Sequence, residues 1–325
     1  MAHEPRLAVE SLAGRRDYQE DSVLAQALSD GRVLVAVADG MGGHAAGEVA
    51  SALALETLVS ALEDGVELDE SFQRANAEVN EKAREPGKKG MGTTLVAALI
   101  DGEEYLVANV GDSRAYVLSG NGIRQLSLDH SFAAEAERHG QPIAEEMAIR
   151  YKDALTRSIG TEEQVEVDVF GPFPVKEDTA LVICSDGLYK VMEAEPLRRV
   201  FVQSSGPRGA AQALVTTAFD DGSDDNISVA IAEFGEVPRV VTQGTMPIDF
   251  VPGPHPEPDS TPEESDSDQT SAHEHEPDAD GGGSETETAP AARLEHAAAN
   301  GGGVPMGAIV AAVVAIGALI VFFAF

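Results

Sequence analysis

Hydrophobic positions follow two different periods over residues 1–239, and beyond them the pattern changes twice. Apolar runs with strand-like length and spacing fall at 6–11, 22–28, 32–38, 93–101, 104–111, 114–119, 163–170, 179–185 and 226–234. Turns such as Asp101-Gly102 and Gly120-Asn121-Gly122 join several of them and favour antiparallel hairpins. Helical spacing instead runs through 45–65, 68–87 and 207–222. The first of these carries Val49, Leu53, Leu55 and Leu58 and is closed by Gly65. The second starts at Asp69, a good N-cap by type, and is stopped by Pro86-Gly87. Adjacent strands with helices grouped between them predict an α+β domain of packed antiparallel sheets covered by helices.

From 240 to 303 the apolar period disappears, and Pro, Asp, Glu, Ser and Gly dominate. Such a segment buries too little to offset the entropy of ordering, which predicts a disordered acidic linker. His255, His273 and His275 read as interruptions of this solvated tract or as weak metal ligands. Residues 304–325 then carry no charge at all. A helix of that length spans about 33 Å, against a hydrocarbon core of roughly 30 Å, and predicts a single-pass C-terminal membrane anchor. The organisation expected is therefore 1–239 folded, 240–303 linker and 304–325 transmembrane helix. The N-terminal "MAHEPRLAVE" lacks the basic and apolar regions of a secretory signal, so the folded part is expected to face the cytoplasm.

Charge narrows the partners. The net charge is -34, from 56 acids and 22 bases. From residue 240 onward there are 14 acids and one base, Arg293, which leaves -21 on residues 1–239. That surface repels nucleic acid and anionic headgroups, and no nucleic-acid partner is expected. Acidity with scarce lysine also suits a cytoplasm of high ionic strength, as in a halophile. A lone cysteine, Cys184, excludes an intrachain disulfide.

The candidate chemistry begins at "VAVADGMGGHAAGEVAS", where an apolar strand runs into Asp39 and a glycine-rich turn. A buried carboxylate is costly unless paired or bound to metal, although Asp39 could equally cap the helix that begins near Ala45. Further acids stand in similar places. Asp21 follows Arg16 in "GRRDYQEDS", Asp129 ends the short strand of "SLDHSF", Asp186 lies in "LVICSDGLY", and Asp225-Asn226 precedes a strand in "GSDDNISVAI". Glycine after such an Asp permits a tight turn while the strand fixes the carboxylate. With no competing cysteine or histidine cluster, the set suits an all-oxygen site for Mg²⁺ or Mn²⁺.

The ordered motifs "RxxxED", "DGMGGHxxGExAS", "GMGTTL", "VGDSRAY", "LDHS", "LTRSIG", "SDGL" and "DDNISV" resemble those of the PPM-type (2C) metal-dependent Ser/Thr protein phosphatases, prokaryotic branch, over about residues 6–234. The resemblance implies a sandwich of two antiparallel sheets flanked by helices, with a two-metal cleft at one end. It implies hydrolysis of phosphoserine and phosphothreonine on proteins by a water activated between two Mn²⁺ or Mg²⁺ ions, with a weaker third ion. Asp39 resembles the carboxylate that bridges both metals and Gly40 the carbonyl ligand, while Asp186 and Asp225 resemble the ligands completing the second metal. Asp21, with Glu20 beside it, resembles the acid holding coordinated waters, and Asn226 a supporting residue. Asp129 resembles a ligand of the third ion, at the root of a flap reaching about residue 155, and Arg16 the phosphate clamp. The implied partners are phosphorylated proteins and a cognate Ser/Thr kinase.

Met41 stands where eukaryotic members carry histidine, which leaves the proton donor to the leaving group open between His44 and a coordinated water. His44 reads equally as an ordinary helix-start residue. A cysteine-dependent phosphatase would need an arginine where Lys190 stands, and Cys184 reads as a buried strand residue. A membrane-tethered phosphoprotein-binding pseudophosphatase or adaptor is the alternative from another class, and would be expected to lack one of the carboxylates.

Overall fold

The computed structural model describes residues 4–42, 45–140, 147, 150–151 and 154–239. All of them lie in the first of the chain's two units, Met1–Gly253. The expectations of a linker and a transmembrane helix, and the one concerning His44, fall outside the described residues, as does much of the expected flap. Among the described residues, no helix is long and apolar enough to cross a membrane.

Two antiparallel sheets lie face to face. The first contains β1 (Arg6–Leu12), β7 (Arg114–Ser119), β8 (Gly122–Gln125), β10 (Thr179–Cys184) and β11 (Ile227–Phe234), in the order β1-β11-β10-β7-β8. The second contains β2 (Asp21–Ala27), β3 (Val33–Met41), β5 (Leu95–Asp101), β6 (Glu104–Val110) and β9 (Asp168–Pro174), in the order β2-β3-β5-β6-β9. The short β4 (Gly92–Thr93) pairs with the end of β3. Helices α1 (Ala45–Glu63) and α2 (Leu68–Ala83) cover the second sheet. Helices α5 (Ala194–Gln203) and α6 (Gly206–Asp220) cover the first; the two-turn helix α3 (Phe132–Arg138) follows β8, and the one-turn helix α4 (Asp186–Tyr189) follows β10.

Strand β3 shows why the sequence reads as continuous apolar runs. Val33, Val35 and Val37 face the other sheet, while Leu34, Ala36 and Ala38 face the helices, so both of its faces are buried. Each fully buried valine or leucine side chain contributes about 1.5–3 kcal/mol. Helix α1 ends in a Schellman arrangement, with Gly65 N–H on the Leu62 carbonyl at 3.0 Å and Val66 N–H on the Ala61 carbonyl at 3.0 Å. Gly65 has φ +77°, which glycine adopts without strain.

Two expectations are corrected, and one helix is added. The strand read at 163–170 is β9, at Asp168–Pro174. Residues 163–167 leave the ladder because α2 takes their carbonyls: Gln73 Nε2 donates to Val165 O, and Asn76 Nδ2 to Glu162 O and Glu163 O. The N-cap of α2 is Glu67, with Asp69 in its first turn, where a negative charge favours the helix dipole. Helix α5 was not read from the sequence, although Leu197, Phe201 and Val202 are buried on one face. Its Pro196 sits in the first turn, where no backbone N–H is needed.

Beyond β11 the chain is tied back onto the domain. Arg239 Nη2 donates to both oxygens of the fully buried Glu233 at 2.7 Å, and Nη1 donates to Phe201 O at 2.8 Å. The guanidinium also lies 4.6 Å from the Phe201 ring centroid. Val237 N–H donates to Glu233 Oε1 at 3.2 Å, which completes a clasp around one carboxylate.

Candidate active site

The pairing of β2 with β3 sets Asp21 directly opposite Asp39, at the same end of the second sheet. Backbone bonds fix Asp39 from both sides. Its N–H donates to Thr94 Oγ1 at 2.9 Å, and its carbonyl accepts from Thr94 N–H and Thr93 Oγ1, each at 2.9 Å. Asp39 is thus a strand residue several positions ahead of α1, not its N-cap. At Gly40 a Cβ would lie 2.2 Å from Gly47 O and 2.5 Å from Glu20 O, so only glycine allows this approach.

The first sheet supplies the other half. Asp186 opens α4 directly after β10, and Ser185 before it donates to Asp21 Oδ2 at 2.8 Å while accepting from Ser228 N–H at 3.1 Å. Asn226, just ahead of β11, accepts from Glu20 N–H at 2.8 Å and donates to Ala13 O and Tyr18 O, each at 2.9 Å. One amide thereby holds the loop that carries Arg16 and Glu20 against the start of β11. Arg16 Nη2 contacts Asp225 Oδ2 at 2.6 Å, and Lys190 Nζ contacts Asp186 Oδ2 at 2.6 Å.

These carboxylates act on one another. Burial first, then Asp21, Asp186, Asp112 and Asp225, hold the Asp39 carboxyl well above the usual range. Burial pushes Asp21 up to about 7 against the opposing bonds of Ser185 and Ser228, and Asp186 and Asp225 add to the rise. Asp112 is pushed up to about 6, by burial and then by Asp186. Burial and then Asp186 raise Asp225 also.

The donor set fits a hard divalent cation: it is all oxygen, and the buried Asp21 Oδ1 and Asp186 Oδ1 receive no hydrogen bond. Among the described residues, however, no three Asp, Glu, His or Cys side chains are gathered into a ready-made ligating cluster. Asp186 and Asp225 are engaged by Lys190 and Arg16 instead.

Asp129, expected beside a third ion, lies close enough to Asp112 to help raise its carboxyl, and is itself held by Arg114 and Gln125. Arg114 Nε donates to its two oxygens at 3.0 and 3.1 Å and Nη2 to Oδ2 at 2.7 Å, while Gln125 Nε2 adds a bond at 3.0 Å. The Arg114 guanidinium is itself stacked 3.6 Å from the Tyr189 ring centroid. The residue the sequence reading passed over is Asp112, inside "VGDSRAY". It stands just beyond a buried strand, as Asp39 and Asp186 stand at strand ends, but its glycine precedes it instead of following. The turn that carries it is anchored by His130, whose Nδ1 accepts from Gly111 N–H at 3.1 Å and whose Nε2 lies 3.1 Å from Asp168 Oδ2. Arg157 Nη1 donates to Asp168 Oδ1 at 2.7 Å. Burial would raise Asp168, but the bonds from His130 and Arg157 outweigh it and hold the carboxyl down at about 2. "LDHS" and "LTRSIG" are therefore partly scaffolding for the Asp112 turn. Cys184 lies fully inside the core, where burial pushes its thiol far above the usual range, so it is a poor nucleophile.

Known proteins are similar to this chain in sequence and fold. Residues 13–217 match the protein phosphatase 2C family, a match that ends ahead of Asp225. Serine/threonine phosphatase stp of Listeria welshimeri is 36% identical over 231 residues, covering 67% of this chain and 91% of that protein. Serine/threonine protein phosphatase PstP of Mycobacterium tuberculosis is 32% identical over 228 residues, covering 67% of this chain and 42% of that protein. The crystal structure of serine/threonine phosphatase Stp1 from Staphylococcus aureus superposes with a TM-score of 0.64 at 30% identity, covering 72% of this chain and 96% of that one. The solved structure of the Mycobacterium tuberculosis serine/threonine phosphatase PstP/Ppp gives a TM-score of 0.60 at 30% identity, covering 71% of this chain and 99% of that one. With its two antiparallel sheets, its covering helices and its family match over residues 13–217, the chain belongs to the protein phosphatase 2C family.

Proposed function

We propose that the chain hydrolyses phosphoserine and phosphothreonine esters on proteins, in the cleft formed by Asp21, Asp39, Asp186 and Asp225, and so opposes a Ser/Thr kinase. Relatives named serine/threonine phosphatases support the reaction class. The observation that carries the cleft assignment is the pair of buried carboxylate oxygens, Asp21 Oδ1 and Asp186 Oδ1, that receive no hydrogen bond. Asp39, the Gly40 carbonyl, Asp186 and Asp225 would hold two Mn²⁺ or Mg²⁺ ions, with Asp112 beside a third. Ions there supply Lewis acidity that makes water nucleophilic near neutral pH and offset the charge of a phosphate.

The chain's own residues do the positioning. Arg16 lies half-exposed at the rim and can exchange Asp225 for two phosphate oxygens, a bidentate contact suited to a planar guanidinium. Asp21, fixed at Oδ2 by Ser185, keeps its other oxygen buried and without a hydrogen bond, and that oxygen would be free to orient a water. Asn226 keeps the Arg16 loop in register with β11. The C-terminal residues 304–325 would confine this activity to the cytoplasmic face of a membrane, in reach of membrane-bound phosphoproteins.

Phosphate release from a phosphothreonine peptide tests the reading. Turnover should stop in chelator and return with Mn²⁺ or Mg²⁺. Asp39→Asn should lower it by at least about 10³-fold, equivalent to roughly 4 kcal/mol, whereas Cys184→Ser should retain most of it. A folded protein that binds phosphopeptide without turnover under any divalent ion would favour the adaptor reading. Activity that survives chelation but dies with Cys184→Ser would overturn the mechanism.

A further inference from the structure

We propose that Lys190 is a built-in counter-ion of Asp186 that competes with divalent cations and so sets the ion concentration at which the cleft loads. The inference rests on the reading above that Asp186 takes part in divalent binding. Lysine is scarce in this acidic chain, yet one stands at the end of α4, one helical turn beyond Asp186. Its Nζ lies 2.6 Å from Asp186 Oδ2, with the Asp186 side chain only 13% exposed and that of Lys190 40% exposed. The other oxygen, Oδ1, is the buried one that receives no hydrogen bond. The same ammonium also favours the charged forms of Asp112 and Asp225, so its field reaches the neighbouring carboxylates of the cleft.

An ammonium has three donors and no lone pair, so it cannot join the coordination of a metal. A divalent ion approaching either oxygen of Asp186 meets a like charge within a few ångströms. The lysine must then swing outward on its flexible stem, or the ion must accept a carboxylate weakened by sharing. Swinging outward is open to it, because the side chain is half in solvent. Either route lowers the apparent ion affinity below that of the bare carboxylates. The contact thus stabilises the ion-free cleft and makes loading respond to the divalent ion supply rather than stay saturated.

Calorimetric titration of Mn²⁺ into the metal-free full chain, purified in mild detergent, tests this directly. Lys190→Met and Lys190→Gln should each bind about tenfold more tightly than the wild type, ~1.4 kcal/mol. Lys190→Arg, which keeps the charge, should stay within about threefold of it. Unchanged or weaker binding by both neutral variants, with native circular dichroism, would overturn the proposal, as would an equal gain in the Arg variant. Asp186→Asn separates the two levels. Wild-type affinity in that variant sinks the metal reading itself, whereas lost affinity there with unchanged Lys190→Met binding sinks only the role of Lys190.

Discussion

Asp21 accepts from Ser185 at one oxygen, receives no hydrogen bond at the other, and has its carboxyl pushed by burial up to about 7. A folded-state value raised above the ordinary 3.8 means stability that is fully present below about 4 and lost as pH rises through about 7. In chelator at pH 8, Asp21→Asn should therefore stabilise the domain, by on the order of 3 kcal/mol or several degrees in Tm. Thermal melts should show the gap narrowing by more than half at pH 5, and a gap independent of pH would show that the charge is not the cause. The same variant should lose turnover, because strain of this kind is kept for function. Asp39, Asp186 and Asp225 were legible in the sequence because each sits where a buried strand meets a turn. The partner of Asp129 was not, since Arg114 reaches it only through the pairing of β7 with β8 and the turn beyond. Asp112 carried a weaker signal, because in "VGDSRAY" the glycine precedes the Asp and no Asp-Gly turn marks it.

At the scale of elements, the cleft depends on how closely two turns approach. A Cβ on Gly187, in α4, would lie 2.0 Å from the backbone carbonyl of Asn226. The carbonyl cannot move aside without dragging Asp225 and the start of β11 with it. Gly187→Ala should thus cost about 2 kcal/mol or more in chemical unfolding and separate the two halves of the site, with kcat falling further than the stability loss alone would explain. A fully active, equally stable variant would refute this packing. The strands were legible from alternation and buried runs, because hydrophobic period follows directly from which faces are covered. Residues 163–167 misled for a physical reason. Alternating Val165 and Val167 do bury their side chains, but α2 rather than a neighbouring strand satisfies the backbone there. Helix α5 was hidden by a proline that is harmless in a first turn and would be disruptive anywhere later.

For the whole molecule, the expected division of labour is a folded phosphatase unit, an acidic linker at 240–303 and an anchor at 304–325. A coil of the linker's length has a mean reach of roughly 40–50 Å, so tethering would raise encounters with membrane-bound phosphoproteins without altering the cleft. Removing residues 240–325 should shift the protein from the membrane pellet to the soluble fraction and leave turnover on small phosphopeptides within about twofold. A full-length chain already found in the soluble fraction would refute the anchor. The Arg239–Glu233 clasp gives such a tether a mechanical character. Tension arriving along the chain enters at Arg239, where it divides between Glu233 on β11 and Phe201 on α5. Behind that fastening β11 is gripped along both edges, by β1 and by β10, so peeling it would mean breaking two ladders at once. Asp225 and Asn226 lie at the opposite end of the same strand, about 25 Å away along its eight residues. Load is borne at one end of β11 while chemistry is done at the other, and a tug on the leash stops short of the hand that works.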